Sequence, residues 1–78
     1  MLTRDQVRMA RAAVQWTVEE LARKAGVNPR TIHRYEHGEN ATIDTLEKIK
    51  AAFDGAGVTW IPENGGPASV RPPRRKEE

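Results

Sequence analysis

Residues 17–38, TVEELARKAGVNPRTIHRYEHG, carry two helix signals in immediate succession. Thr17 stands three residues before Glu20. At that spacing a threonine hydroxyl accepts from the third helical amide while the glutamate reaches back to the cap amide. This segment ends at Gly26, a residue type that enters a left-handed turn without steric cost. Asn28 reopens a helix as N-cap, with Pro29 at the first helical position, where a missing N–H leaves no bond unmade. Gly38 closes it.

The second helix has two unlike sides. At about 100° per residue, with Arg30 at zero, Arg34 falls near 40°, His37 near 340° and His33 near 300°, while Thr31, Ile32, Tyr35 and Glu36 take the opposite half. Two helices joined by a short glycine-containing turn make a helix-turn-helix unit, whose second helix enters a DNA groove. A basic face over so few residues is also compatible with an ordinary solvated surface. The two caps, the glycine turn and the neighbouring helices favour DNA.

Working toward the N-terminus, Thr3 and Gln6 form another capping box that starts a helix running to about residue 15. Val7, Ala10 and Val14 share one face of it, with Arg11 in their midst. An unpaired buried guanidinium would cost several kcal/mol, so a carboxylate is expected there, and Glu36 on the inner side of the second motif helix is the candidate. The alternative is that Arg11 runs its aliphatic stem out to water. Toward the C-terminus, Thr42 caps a helix over residues 43–53, with Ile43, Leu46, Ile49 and Phe53 as its buried stripe. The segment Val58-Thr59-Trp60-Ile61 then reads as a strand, Pro62–Pro67 as a turn, and Ala68-Ser69-Val70 as a returning strand.

Residues 2–54 resemble the Cro/C1-type (Xre-family) helix-turn-helix repressors. The matching residues are an Arg-containing first helix, Trp16-Thr17-x-Glu19-Glu20-Leu21-Ala22, Ala25-Gly26-Val27-Asn28, Thr31-Ile32-x-x-Tyr35-Glu36-x-Gly38 and Thr45-Leu46-x-x-Ile49, at the family's spacing without gaps. The resemblance implies an all-helical domain that binds operator DNA, usually as a dimer, with the second motif helix in the major groove, and it also pairs the Arg11 and Glu36 positions. One position departs from the pattern. Where family members commonly carry a phosphate-contacting glutamine, this chain has Val18, which falls with Leu21, Ala22 and Ala25 on the apolar side, so backbone anchoring is expected from Thr17 and helix amides.

The fold class expected is mainly α: a four-helix Cro/C1-type domain over residues 1–57, a short C-terminal β-hairpin extension over 58–70, and a flexible basic tail over 71–78. An isolated hairpin is marginal in water, so it must pack on the helices or pair with another chain. Val58, Trp60 and Ile61 are the dimerisation candidates by strand addition, and the competing role for Trp60 is to cap the core beside Phe53.

Composition agrees with this reading. Seventy-eight residues allow one small domain whose core gains from dimerisation. The absence of cysteine excludes a disulfide framework and thiolate zinc sites. No apolar run approaches a membrane span or a signal core, so a soluble cytoplasmic protein is expected, without a membrane partner. Net charge is only +2, yet residues 1–38 hold seven Lys/Arg against four Asp/Glu, and 71–78 hold four against two. Local basic patches suit phosphate neutralisation on a duplex.

The expected contacts to double-stranded DNA are Arg30 and Arg34 on guanine edges, Pro29 on a thymine methyl, Thr17 on the backbone, His33 and His37 toward phosphate or sugar, and Asn28 in passing. His33 and His37 share a face at zinc-ligand spacing. They lack a metalloprotease glutamate between them and a nearby cysteine, so no metal is assigned. No phosphate loop or nucleophile–base pair is present; no enzyme activity, cofactor or small-molecule ligand is expected. Repression from an inverted-repeat operator, as a homodimer with residues 29–37 as recognition helix, is the leading function. An antitoxin or antiactivator acting through a protein partner is the other reading of the same scaffold.

Overall fold

The computed structural model describes residues 2–62 and 66–73. They form α1 (Arg4–Val14), α2 (Val18–Ala25), α3 (Pro29–Glu36), α4 (Ile43–Gly55), β1 (Thr59–Ile61) and β2 (Ser69–Arg71). Each helix opens on the residue type its first turn requires: Thr3 and Thr17 close full capping boxes with Gln6 and Glu20, Asn28 accepts from the Arg30 amide, and Thr42 accepts from Thr45. These caps satisfy amides that have no intrahelical partner.

The helix ends are equally regular. After each of the four comes a residue with positive φ, Gln15, Gly26, Gly38 or Gly57, and the next amide reaches five residues back to a helical carbonyl. Around Gly38 (φ 109°) the Gly38 amide donates to Tyr35 and Glu39 to Arg34, a Schellman closure that turns the chain sharply out of α3. Gln15 (φ 60°, ψ 40°) performs the same turn with a Cβ present. Because that conformation costs an L-residue about 1 kcal/mol that glycine avoids, Gln15→Gly is expected to raise stability by roughly 0.5–1 kcal/mol in urea unfolding. An unchanged or lower midpoint would contradict the strain assignment.

The core gathers Val7 and Ala10 from α1, Leu21 and Ala22 from α2, Ile32 and Tyr35 from α3, and Leu46, Ile49 and Phe53 from α4, closed by Leu2 and Val58. Trp16 stacks on Phe53 with centroids 5.4 Å apart, and Trp60 meets Phe53 edge-on at 5.7 Å. Trp60 also donates its indole N–H to Asp54 Oδ1 at 2.6 Å. Burial pushes the Asp54 carboxyl up, but the bonds from Trp60 and Lys50 outweigh it and hold Asp54 below its ordinary value.

The hairpin differs from the sequence expectation in its strand bounds. Trp60 pairs with Val70 and Thr59 with Arg71, so Arg71, expected to open the tail, belongs to the ladder, while Val58 and Ala68 lie outside it. Val58 is 5% exposed in the chain's own core, which removes it as a dimerisation candidate: it is the first residue after the α4 turn and must follow Phe53 inward. The buried Gln6 side chain ties the sheet to α1, donating through Nε2 to the carbonyls of Ile61 and Ser69. Ile43, expected in the α4 stripe, is 62% exposed because the first turn of α4 projects past the core. Helix α4 itself continues two residues beyond the expected end, to Gly55. The centre of the expected turn, 63–65, and the expected tail residues 74–78 lie outside the described residues.

Candidate nucleic-acid interface

Helix α3 is held by its inner side and offers its outer one. Ile32, Tyr35 and Glu36 are buried, while Arg30, His33, Arg34 and His37 are exposed, reproducing the division of the helical wheel. Among the described residues, neither Arg30 nor Arg34 takes part in an ion pair. Two guanidiniums one turn apart are therefore presented to solvent without a carboxylate to neutralise them.

Three other arginines hold this helix in place. Arg11 meets Glu36 through two parallel bonds, Nε to Oε2 at 2.7 Å and Nη2 to Oε1 at 2.8 Å, and gives Nη1 to the Trp16 carbonyl at 3.1 Å. The hydrogen bond to Glu36 raises the Arg11 pKa above its ordinary value, against the effect of burial. Arg4 donates to the Tyr35 carbonyl at 2.9 Å and the Glu39 carbonyl at 3.3 Å, and its guanidinium lies 5.1 Å from the centre of the Tyr35 ring. Arg8 donates to the Glu36 carbonyl at 3.3 Å and pairs with Asp5.

One face of α1 thus caps the carboxyl end of α3, where cations also complement the helix dipole. The sequence reading missed the roles of Arg4 and Arg8. Their spacing with Arg11, four and three residues apart, was the available signal. The consequence for function is direct: three of the seven basic residues in 1–38 are committed to the scaffold, and the outward charge of α3 rests on Arg30 and Arg34.

The remaining candidates divide by position. Thr17, Pro29, Arg30 and His33 line one open depression between the amino ends of α2 and α3, together with Arg11, Val18 and Glu19, which the sequence reading had not placed at the interface. Thr17 accepts the Glu20 amide at 3.1 Å and donates its own amide to Glu20 Oε1 at 2.9 Å, which leaves its hydroxyl proton for another acceptor. Those Thr17 bonds, the amide bond foremost, hold the Glu20 carboxyl below its ordinary range. Asn28 spends its side-chain oxygen on the Arg30 amide at 2.8 Å and keeps only its NH2 for contact elsewhere.

Arg34 and His37 stand one turn further along. The His33 and His37 rings lie 4.2 Å apart, and His37 Nδ1 donates to the His33 carbonyl at 2.7 Å. Among the described residues no group of three His, Asp or Glu side chains could hold a metal ion, and no helix is long and apolar enough to cross a membrane.

A helix-turn-helix family model matches residues 7–60, from within α1 into β1. No curated protein matches the chain. The matched family is one of DNA-binding domains of transcription regulation rather than of catalysts. Four capped helices, an outward-facing basic α3 and a match over more than half of its length place this chain in the Cro/C1-type helix-turn-helix family.

Proposed function

We propose that the protein is a sequence-specific regulator, a repressor in its basic action, that occupies an inverted-repeat operator as a homodimer with residues 29–37 in the major groove. The observation that carries this is the pair of exposed guanidiniums of Arg30 and Arg34, on a helix whose opposite side is locked to α1. Arginine's planar fork matches the O6 and N7 acceptors of guanine, and a rigid support keeps the fork aimed. Thr17, Asn28, His33 and His37 flank this ridge at positions suited to phosphate or sugar, which fixes register rather than sequence. Pro29 adds an apolar contact at the amino end. A domain this small represses by occupying a promoter and needs no effector module.

Dimerisation is ascribed to the hairpin, where Trp60 and Ile61 remain half-buried and each strand keeps an outer edge for pairing across a two-fold axis. The test is footprinting on the duplex upstream of the protein's own gene, with the stoichiometry measured in parallel. Two protected half-sites about 34 Å apart, one helical turn, are expected. A single half-site saturated by one protomer contradicts the dimer. Failure to bind any duplex, together with capture of a protein partner, would instead favour an antitoxin or antiactivator.

A further inference from the structure

Gln6 is 4% exposed, and its side chain serves two partners at once. The oxygen accepts the Thr3 amide at 3.0 Å, which completes the cap of α1. The NH2 donates to the Ile61 carbonyl at 3.3 Å and to the Ser69 carbonyl at 3.1 Å. Ile61 and Ser69 face each other across the ladder, so a single carboxamide holds both strands at the same rung. The cap alone does not require this residue, since Glu20 closes the equivalent box for Thr17 through a carboxylate oxygen. A carboxyl group has at most one proton to give and cannot hold two carbonyls.

The other side of α1 holds α3. On the helical wheel Arg4, Arg8 and Arg11 fall within about 60° of one another, and Gln6 lies at least about 140° from each. Helix α1 thus stands between the helix that carries Arg30 and Arg34 and the strand pair, and packs on both. Trp60 adds a bond to Asp54 on α4, and among the described residues no other side-chain hydrogen bond joins the hairpin to a helix. The apolar packing of Trp60 and Val70 attracts without direction and tolerates a tilting sheet, whereas two hydrogen bonds from one planar group select one orientation. Orientation matters at this scale. Across an arm of about 18 Å, half of the molecule's 36 Å length, a tilt of about 10° carries α3 through about 3 Å, nearly one base-pair step.

We infer that Gln6 is a positioning residue for operator recognition: by fixing the hairpin on α1 it sets how far apart, and at what rotation, the two recognition helices of a dimer stand, and hence the half-site spacing the operator must have. The inference rests on the hairpin-paired homodimer proposed above and goes beyond it by naming the contact that sets the spacing.

The experiment uses the full chain and synthetic duplexes built on an operator selected from a random-sequence pool. The half-sites are moved together or apart in single base-pair steps, a duplex with one half-site serves as reference, and affinity is measured by fluorescence anisotropy. Each added base pair moves one half-site by about 3.4 Å and turns it by about 35°. Wild type should favour one spacing by about tenfold or more over its neighbours, because a second half-site adds affinity only where both are engaged together. Gln6→Met keeps the apolar stem and loses both donors; Gln6→Glu keeps the cap acceptor and cannot hold both strands. In each, the preference should fall to about threefold or less, with affinity for the single half-site within about twofold of wild type. A residue that only supported the fold would lower single-half-site binding as well.

An undiminished preference in both variants overturns the assignment to Gln6 and leaves the dimer in place. Loss of single-half-site binding in both makes Gln6 a residue of the fold and overturns its positioning role. A wild type that gains equally from a second half-site at every spacing overturns the inference while keeping the dimer. No gain at any spacing contradicts the dimer itself, and failure of the pool to yield a bound duplex contradicts the DNA reading; either removes the inference with it.

Discussion

Replacing Arg11 with Met is expected to cost about 3–5 kcal/mol of stability at neutral pH, because it leaves a buried carboxylate without its cation. Glu36 is only 3% exposed, whereas Arg11 is 23% exposed, so the two halves of the pair are not equivalent. Glu36→Gln strands a guanidinium that still reaches water along its stem and keeps its bond to the Trp16 carbonyl. It should therefore cost less than Arg11→Met, by about 1 kcal/mol or more.

Replacing both partners, Arg11→Met with Glu36→Leu, removes the stranded charge and should recover most of the loss, since an apolar pair of similar volume is often as stable as a buried ion pair. Urea unfolding at neutral pH checks all three variants. For a domain whose total stability is about 4–12 kcal/mol, Arg11→Met alone approaches unfolding. If it proves nearly neutral, Glu36 has found another partner and the pair does not position α3.

Arg34→Ala is expected to weaken operator binding by about 1–3 kcal/mol, roughly five- to 150-fold, and to relax preference at a single base pair. The side chain is exposed and forms no ion pair among the described residues, so stability should change by no more than about 0.5 kcal/mol. Arg34→Lys keeps the charge but not the fork. It should restore nonspecific affinity and its salt dependence more than it restores discrimination. Equilibrium binding to the operator and to its single-base variants, at two salt concentrations, distinguishes these outcomes. A uniform loss across all sequences, with a shallower salt slope, would make Arg34 a phosphate contact instead.

The helices were legible because their punctuation is local. Thr3 with Gln6, Thr17 with Glu20, and Asn28 with Pro29 state a helix start within four residues, and Gly26 and Gly38 state where the chain turns. The inward and outward sides of α3 followed from periodicity alone, as did the need for an anion near Arg11. What depended on tertiary placement was not legible. Ile43 has the spacing of a buried stripe, yet the first turn of α4 runs past the core that would cover it. Val58 has the composition of a strand, but the turn after Gly55 drives it inward ahead of the sheet. Gln15 carries no sequence sign of a left-handed turn, since its conformation is imposed by the connection from α1 to Trp16. At the interface, Arg4 and Arg8 counted as free positive charge until their carbonyl partners on α3 and Glu39 were visible.

Methylation protection at guanine N7 reaches the central claim most directly, because that atom lies in the major groove and is one of the two acceptors assigned to the arginine forks. In the complex with wild-type protein, guanines in each half-site should be shielded from dimethyl sulfate, and Arg30→Ala and Arg34→Ala should each re-expose a different one. Full reactivity of every guanine in a saturated complex, or the same protection after both substitutions, would contradict the reading of α3 as the helix that enters the groove.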